Sequence, residues 1–154
     1  MATRWRRTRW RACASSLPIT SAQLRFTTDG NGDVVDITGD VAAVVEGVSA
    51  GAGVVSVFVP GATAAVTTME HEPGNVFDLR SLLDQLVPRQ ADWEHNRLNH
   101  DTNAHAHIRA ALVGPSETIP FEAGRLMLGT WQQIVLVDFD DRPRERTVLV
   151  SVIC

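Results

Sequence analysis

Leu126-Met-Leu-Gly-Thr-Trp-Gln-Gln-Ile-Val-Leu-Val-Asp-Phe-Asp-Asp-Arg-Pro-Arg-Glu-Arg-Thr-Val-Leu-Val-Ser-Val-Ile153 decides the fold class. Its first half, to Asp138, is apolar and β-prone and reads as a long strand interrupted at Gly129-Thr130-Trp131-Gln132. Asp138 to Arg146 reads as a charged, solvated turn, and Thr147 to Ile153 as a closing strand. Upstream, Glu117 to Phe121 adds a strand, with turn residues at Gly114-Pro115-Ser116 and Gly124. A strand-rich second half joined to helical patterns in the first predicts an α+β fold, mainly antiparallel, with two or three helices.

The first half supplies those helices. Gln23 to Thr28 alternates apolar and polar residues, and Asp29-Gly30-Asn31-Gly32 predicts a hairpin into Asp33 to Ile37. Thr38-Gly-Asp40 predicts a helix start over 40–50, with Val41, Val44, Val45 and Val48 on one face. Val54 to Val59 and Ala64 to Met69 read as strands around Pro60-Gly-Ala-Thr63. Val76, Leu79, Leu82, Leu83 and Leu86 recur at helical spacing, predicting a helix over 76–87 that Pro88 stops.

At 154 residues the chain has the length of one domain, 21–154, behind an Arg- and Trp-rich segment 1–20 expected to be a flexible tail. No apolar stretch follows its arginines as a secretory signal requires, which fits an upstream start codon. The tail carries five arginines and no acid, whereas the rest holds nine arginines against eighteen acids. That acidic body argues against nucleic acid as a partner, and no apolar run is long enough for a membrane helix. All fourteen basic residues are Arg, so Schiff-base and P-loop lysine chemistry are excluded. Cys13 and Cys154 make no disulfide framework, which predicts a cytoplasmic protein.

Four of the five histidines fall in the thirteen residues from His95 to His107. Imidazole is the commonest metal ligand and titrates nearest neutral pH, so this cluster reads as a metal or acid/base site. His105 and His107 share a face on an extended backbone, where both reach one ion; on a helix they diverge by about 200°. Asn103 equally suits the cap of a helix at 104–112, so both conformations stay open. His95 is the natural third ligand, making His95, His105 and His107 a divalent site, Zn or Mg, with an open position. Asp101 and Glu70 are the candidate catalytic carboxylates, whereas Glu72 reads as a solvated turn residue and His100 as exposed. Trp131 reads as a core or interface aromatic.

Pro60 to Glu70, His95 to His107 and Gly124 to Gln132 resemble the YjbQ family, often labelled secondary thiamine-phosphate synthase; the resemblance runs from about Ser21 to Ile153. It implies a small α+β protein that forms homotrimers, and a metal-dependent transferase acting on a small phosphorylated substrate. Thr63, Asn103, Ser116, Thr130 and Gln132 are then the candidate phosphate-binding residues. Many relatives carry His after the proline where this chain has Gly61, so His105 is expected to supply the missing imidazole. The alternatives are a metal-assisted phosphoester hydrolase and a non-catalytic trimeric module that binds metal or an anion. The expected pocket has three walls, Asp92–His107, Gly61–Glu70 and Gly129–Gln132, some of them from a neighbouring subunit.

Overall fold

The computed structural model describes residues 19–48 and 51–154. Eight strands and four helices run in the order β1 (Ile19–Thr28), β2 (Asp33–Asp36), α1 (Thr38–Glu46), β3 (Ala52–Phe58), β4 (Ala64–Met69), α2 (Pro73–Leu86), α3 (Glu94–Asn99), α4 (Ala104–Val113), β5 (Ser116–Glu122), β6 (Arg125–Leu126), β7 (Gln133–Asp138) and β8 (Arg144–Ile153). All strand pairs are antiparallel. One sheet has the order β1-β8-β3-β5-β6 and the other β2-β7-β4. The α+β expectation holds, with four helices among the described residues where two or three were expected.

β7 is central because both of its faces are buried. Ile134 and Leu136 join Val66 of β4, the valines of β3 and β8, and Val41 and Val45 of α1 in one apolar cluster. Val135 and Val137 face the other way, onto Ala65, Leu83 of α2 and Ala106 and Ala110 of α4. Sheet, sheet and helices therefore stack in three layers, and a strand buried on two sides needs an unbroken apolar run. Gln133-Ile-Val-Leu-Val-Asp138 supplies one.

Several boundaries differ from expectation. Asp29 to Gly32 does not close a hairpin: β1 pairs with β8 and β2 with β7, so the turn carries the chain from one sheet to the other. Gly30 (φ 72°) and Gly32 (φ 82°) are left-handed there. A Cβ on Gly30 would lie 2.5 Å from the Arg142 carbonyl oxygen, so only glycine fits. The long strand from Leu126 is broken; only Arg125–Leu126 and Gln133–Asp138 pair, and Gly129–Gln132 form a turn. There the Gln132 side chain accepts from the Gly129 N–H and donates to Thr68, satisfying in a turn what a strand would have paired. Helix α1 ends at Glu46 with Gly47 as its C-cap, and residues 49–50 lie outside the described residues. Helix α2 starts three residues before the expected 76, because the Glu72 carboxylate accepts from the N–H groups of Gly74 and Asn75 and Pro73 opens the helix. Of the expected tail, residues 1–18 lie outside the described residues, whereas Ile19 and Thr20 already pair in β1.

The Asp138–Arg146 segment is no solvated turn. Asp138 and Asp140 are 0% and 1% exposed. Arg146 donates to both oxygens of Asp138 at 2.6 Å, and Arg144 to Asp140 at 2.7 Å. The Thr28 hydroxyl adds a bond to Asp138, and the Thr63 hydroxyl donates to Asp140 while accepting from Arg146. Burial pulls the Asp140 pKa upward. The Arg144 hydrogen bond, the Asp141 N–H, the Arg144 charge and the Thr63 hydroxyl outweigh it and bring the value down to about 2. A depressed carboxylate contributes stability above its unfolded value, about 4, that is lost as pH falls through its folded value. Unfolding by urea should therefore show stability declining from pH 4 towards pH 2. Arg146→Met should cost roughly 3–5 kcal/mol at neutral pH, because it strands buried carboxylates; a loss below about 1 kcal/mol would contradict the charge network as drawn.

Candidate functional site

Helix α4 decides which histidines meet. Residues 104–113 are helical, so His105 and His107 point to different sides. The histidine at 105 is 2% exposed and lines a cleft with Asp84, Pro88, Arg89, Gln90, Thr102 and Asp141. His107 instead lines a cavity of about 270 Å³ with Gly61, Ala62, Ala64, Ala110, Ala111 and Pro115. The expected pairing of His105 with His107 on one ion is therefore corrected, and His105 does not replace an imidazole missing at Gly61. An extended His-x-His would have aligned them; Ile108, Ala111 and Leu112 at helical spacing were the signal for the other outcome.

His95 does meet His107. Its ring lies 4.7 Å from that of His107, centroid to centroid, tilted by 52°. It is delivered by α3, a short helix in the polar stretch where no element was expected. Asn96 of α3 accepts from the Ala104 N–H, so α3 caps α4 and fixes the distance between the two imidazoles. Asn103 occupies the N-cap position without capping; its buried Oδ1 has no hydrogen-bond partner. His100 ends α3 in the left-handed region (φ 54°) and is exposed, as expected of a bystander.

The Nδ1 of His95 lies 3.3 Å from the Asn99 amide nitrogen, which has only protons to offer. A neutral His95 so bonded carries its own proton on Nε2. That Nε2 is buried and has no hydrogen-bond partner, with Asp101 Oδ2 4.0 Å away. The site therefore offers a buried N–H donor beside a second imidazole and a carboxylate.

The remaining expected residues scatter. Thr63 is buried and its hydroxyl is committed to Asp140 and Arg146, which takes it out of the set free to bind phosphate. Glu70 lies beyond the far end of β4; six residues at about 3.3 Å each put it roughly 20 Å from Ala64. Gln132 belongs to that same end, bonded to Thr68, with Thr130 beside it, and Trp131 is 72% exposed rather than core. Ser116 is exposed at the start of β5. Within one chain the three expected walls thus separate: Gly61–Ala64 meets His107, whereas Gly129–Gln132 gathers with Glu70. Among the described residues, no group of three or more His, Cys, Asp or Glu is placed to hold a metal ion. A three-histidine divalent site does not fit these residues.

Sequence reasoning places Arg146 in a solvated turn, with a phosphate grip by alternate arginines as its alternative, and does not pair it with Asp138. The Nη1 of Arg146 lies 3.6 Å from where a Cβ would stand on Gly61, a residue in the wall of the His107 cavity. The alternation Asp138-x-Asp140 and Arg144-x-Arg146, across the connection from β7 to β8, was the available signal.

The UPF0047 protein YjbQ-like family matches the chain over residues 22–154. A UPF0047 protein of Archaeoglobus fulgidus is 38% identical over 131 residues, covering 85% of this chain and 99% of that protein. YugU of Bacillus subtilis, also a UPF0047 protein, is 33% identical over 131 residues, 84% and 96% of the two chains. Among solved structures, a YbjQ-like protein of unknown function from Sulfolobus solfataricus P2 superposes with a TM-score of 0.84 at 32% identity, covering 90% of this chain and 99% of that one. A hypothetical protein from Aeropyrum pernix K1 gives 0.80 at 36% identity, covering 87% and 98%. Removing the α3–α4 bridge should loosen the site that this geometry defines: Asn96→Ala is expected to lower stability by about 1 kcal/mol and to broaden the His95 ring resonances. Unchanged ring resonances would show that the cap does not position His95.

Proposed function

Because the chain belongs to the UPF0047 protein YjbQ-like family, we propose that its His95–His107 site acts on a small phosphorylated molecule, by family resemblance as a thiamine-phosphate synthase-like transferase. One observation carries the reading: the buried, unpartnered Nε2 of His95 beside the ring of His107. A buried donor without an acceptor is costly, and an anionic oxygen of a ligand is the acceptor it lacks. His107 lines the cavity and is the group placed to give or take a proton there. Asp101 Oδ2 lies 4.0 Å from the same His95 nitrogen and adds a carboxylate to the site. Arg146 lies against Gly61 in the cavity wall, with its charge paired to Asp138. Each of these roles belongs to a residue of this chain, and no step passes through a metal.

The second reading is a non-catalytic module that binds an anion or, with a ligand from another copy of the chain, a divalent ion. The same unpartnered His95 nitrogen favours it.

Assays of the purified chain with thiamine precursors and a panel of phosphate esters, with and without added Zn or Mg, separate the two. Turnover that falls by about 10²–10⁴ in His107→Ala is the expected outcome. If no substrate turns over while phosphate binds and His95→Ala abolishes that binding, the enzyme reading fails and the binding module stands. Metal analysis of the same preparations should show no loss in His105→Ala. A loss there would restore the three-histidine site.

A further inference from the structure

Helix α4 leaves one histidine that the proposed reaction does not use. His105 is 2% exposed, and neither Nδ1 nor Nε2 has a hydrogen-bond partner. It forms part of the lining of a cleft of about 570 Å³, within the range of small-molecule sites. Buried polar side chains are almost always satisfied, so a buried imidazole with two unpartnered nitrogens in the wall of a cleft lacks a partner that a ligand there would supply. A neutral imidazole offers one donor and one acceptor, which asks for a ligand carrying both.

The charges around the cleft say which ligand. Asp84 accepts through Oδ1 from Arg109 at 2.7 Å, and Asp141 accepts through Oδ2 from the Thr102 hydroxyl. Each carboxylate thus has its second oxygen outside those bonds. Arg89 donates through Nη2 to Asn31, which leaves Nε and Nη1 outside that bond. A simple anion in the cleft would face Asp141 and the Arg109-paired Asp84, and a simple cation would face Arg89. Among the described residues, no three-ligand metal group forms here either. We propose that this cleft is a second binding site, separate from the His95–His107 pair, and that it takes a small amino-acid-like zwitterion. Asp84 and Asp141 receive its ammonium, Arg89 its carboxylate or phosphate, and His105 hydrogen-bonds to one of the two.

Thr102 and Asp141 also line a neighbouring polar cleft with Asp101, Asn103, Arg142 and Arg144. Their mutual hydrogen bond joins the loop before α4 to the turn before β8, so it forms the partition between the two clefts.

The test uses the full chain with 15N-labelled histidine, its His105 ring signals assigned by their loss in His105→Gln. Glycine, β-alanine and 2-aminoethylphosphate are titrated as zwitterions of increasing charge separation, with acetate, phosphate and methylammonium as single-charge controls. At least one zwitterion is expected to shift the His105 signals saturably, at an affinity at least tenfold above every control. Exposed Arg89 offers a variant that does not threaten the fold: Arg89→Gln should weaken that binding at least tenfold with an unchanged melting temperature. The proposal is overturned if His105 responds to none of the three zwitterions, which would make solvent its only partner. It is equally overturned if one control binds as tightly as the best zwitterion.

Discussion

Two buried carboxylates and the arginines that hold them set the geometry of this molecule. Asp138 closes β7, Asp140 follows it, and Arg144 and Arg146 open β8, so the network ties the two sheets together at the tight β7–β8 connection. It reaches further through hydroxyls: Thr28 at the end of β1 and Thr63 just before β4 are both bonded to it. The Gly30–Gly32 turn lies against the same point, with the Asn31 and Gly32 N–H groups donating to the Asp140 and Asp138 carbonyls. Buried ion pairs of this kind add little net stability over an apolar core, because desolvation offsets their attraction. Their effect is specificity: five chain segments have to converge, or charged groups stay unpaired in the interior.

Both candidate sites lean on that convergence. Arg146 reaches from the network to the underside of Gly61, at the His107 cavity. Asp141, one residue past Asp140 and bonded to it through its N–H, projects into the His105 cleft. The two sites share a helix and a charge network, yet they open on different sides of α4.

The sequence disclosed the fold wherever one physical signal dominated. The apolar run Ile134–Val137 reads as strand and lies in one, and the leucines of α2 read as helix and form one. It misled where two signals competed locally and a distant contact decided. Asp29-Gly-Asn-Gly32 has hairpin chemistry, but the partners of its flanking strands lie about a hundred residues away in β7 and β8. Leu126 to Gln132 has strand composition, yet Gln132 closes its own turn by bonding to Gly129 and Thr68. Arg144 and Arg146 look solvated, because nothing nearby in sequence reveals that Asp138 and Asp140 sit at zero and 1% exposure.

The candidate site was legible as a composition and not as an arrangement. The histidine cluster marked the correct segment, and His95 and His107 do come together. What failed was periodicity: with two residues between equivalent faces, His105 and His107 belong to one site; with 3.6, they belong to two. Asn96 settles the matter by capping α4 from α3, since an N-terminus so capped begins at Ala104 and leaves no extended residue at 105. The same cap that brings His95 to His107 therefore turns His105 away, into a cleft of its own. Histidine number is thus a poor guide to ligand number in this chain, because helix geometry partitions the imidazoles before any ion or substrate arrives.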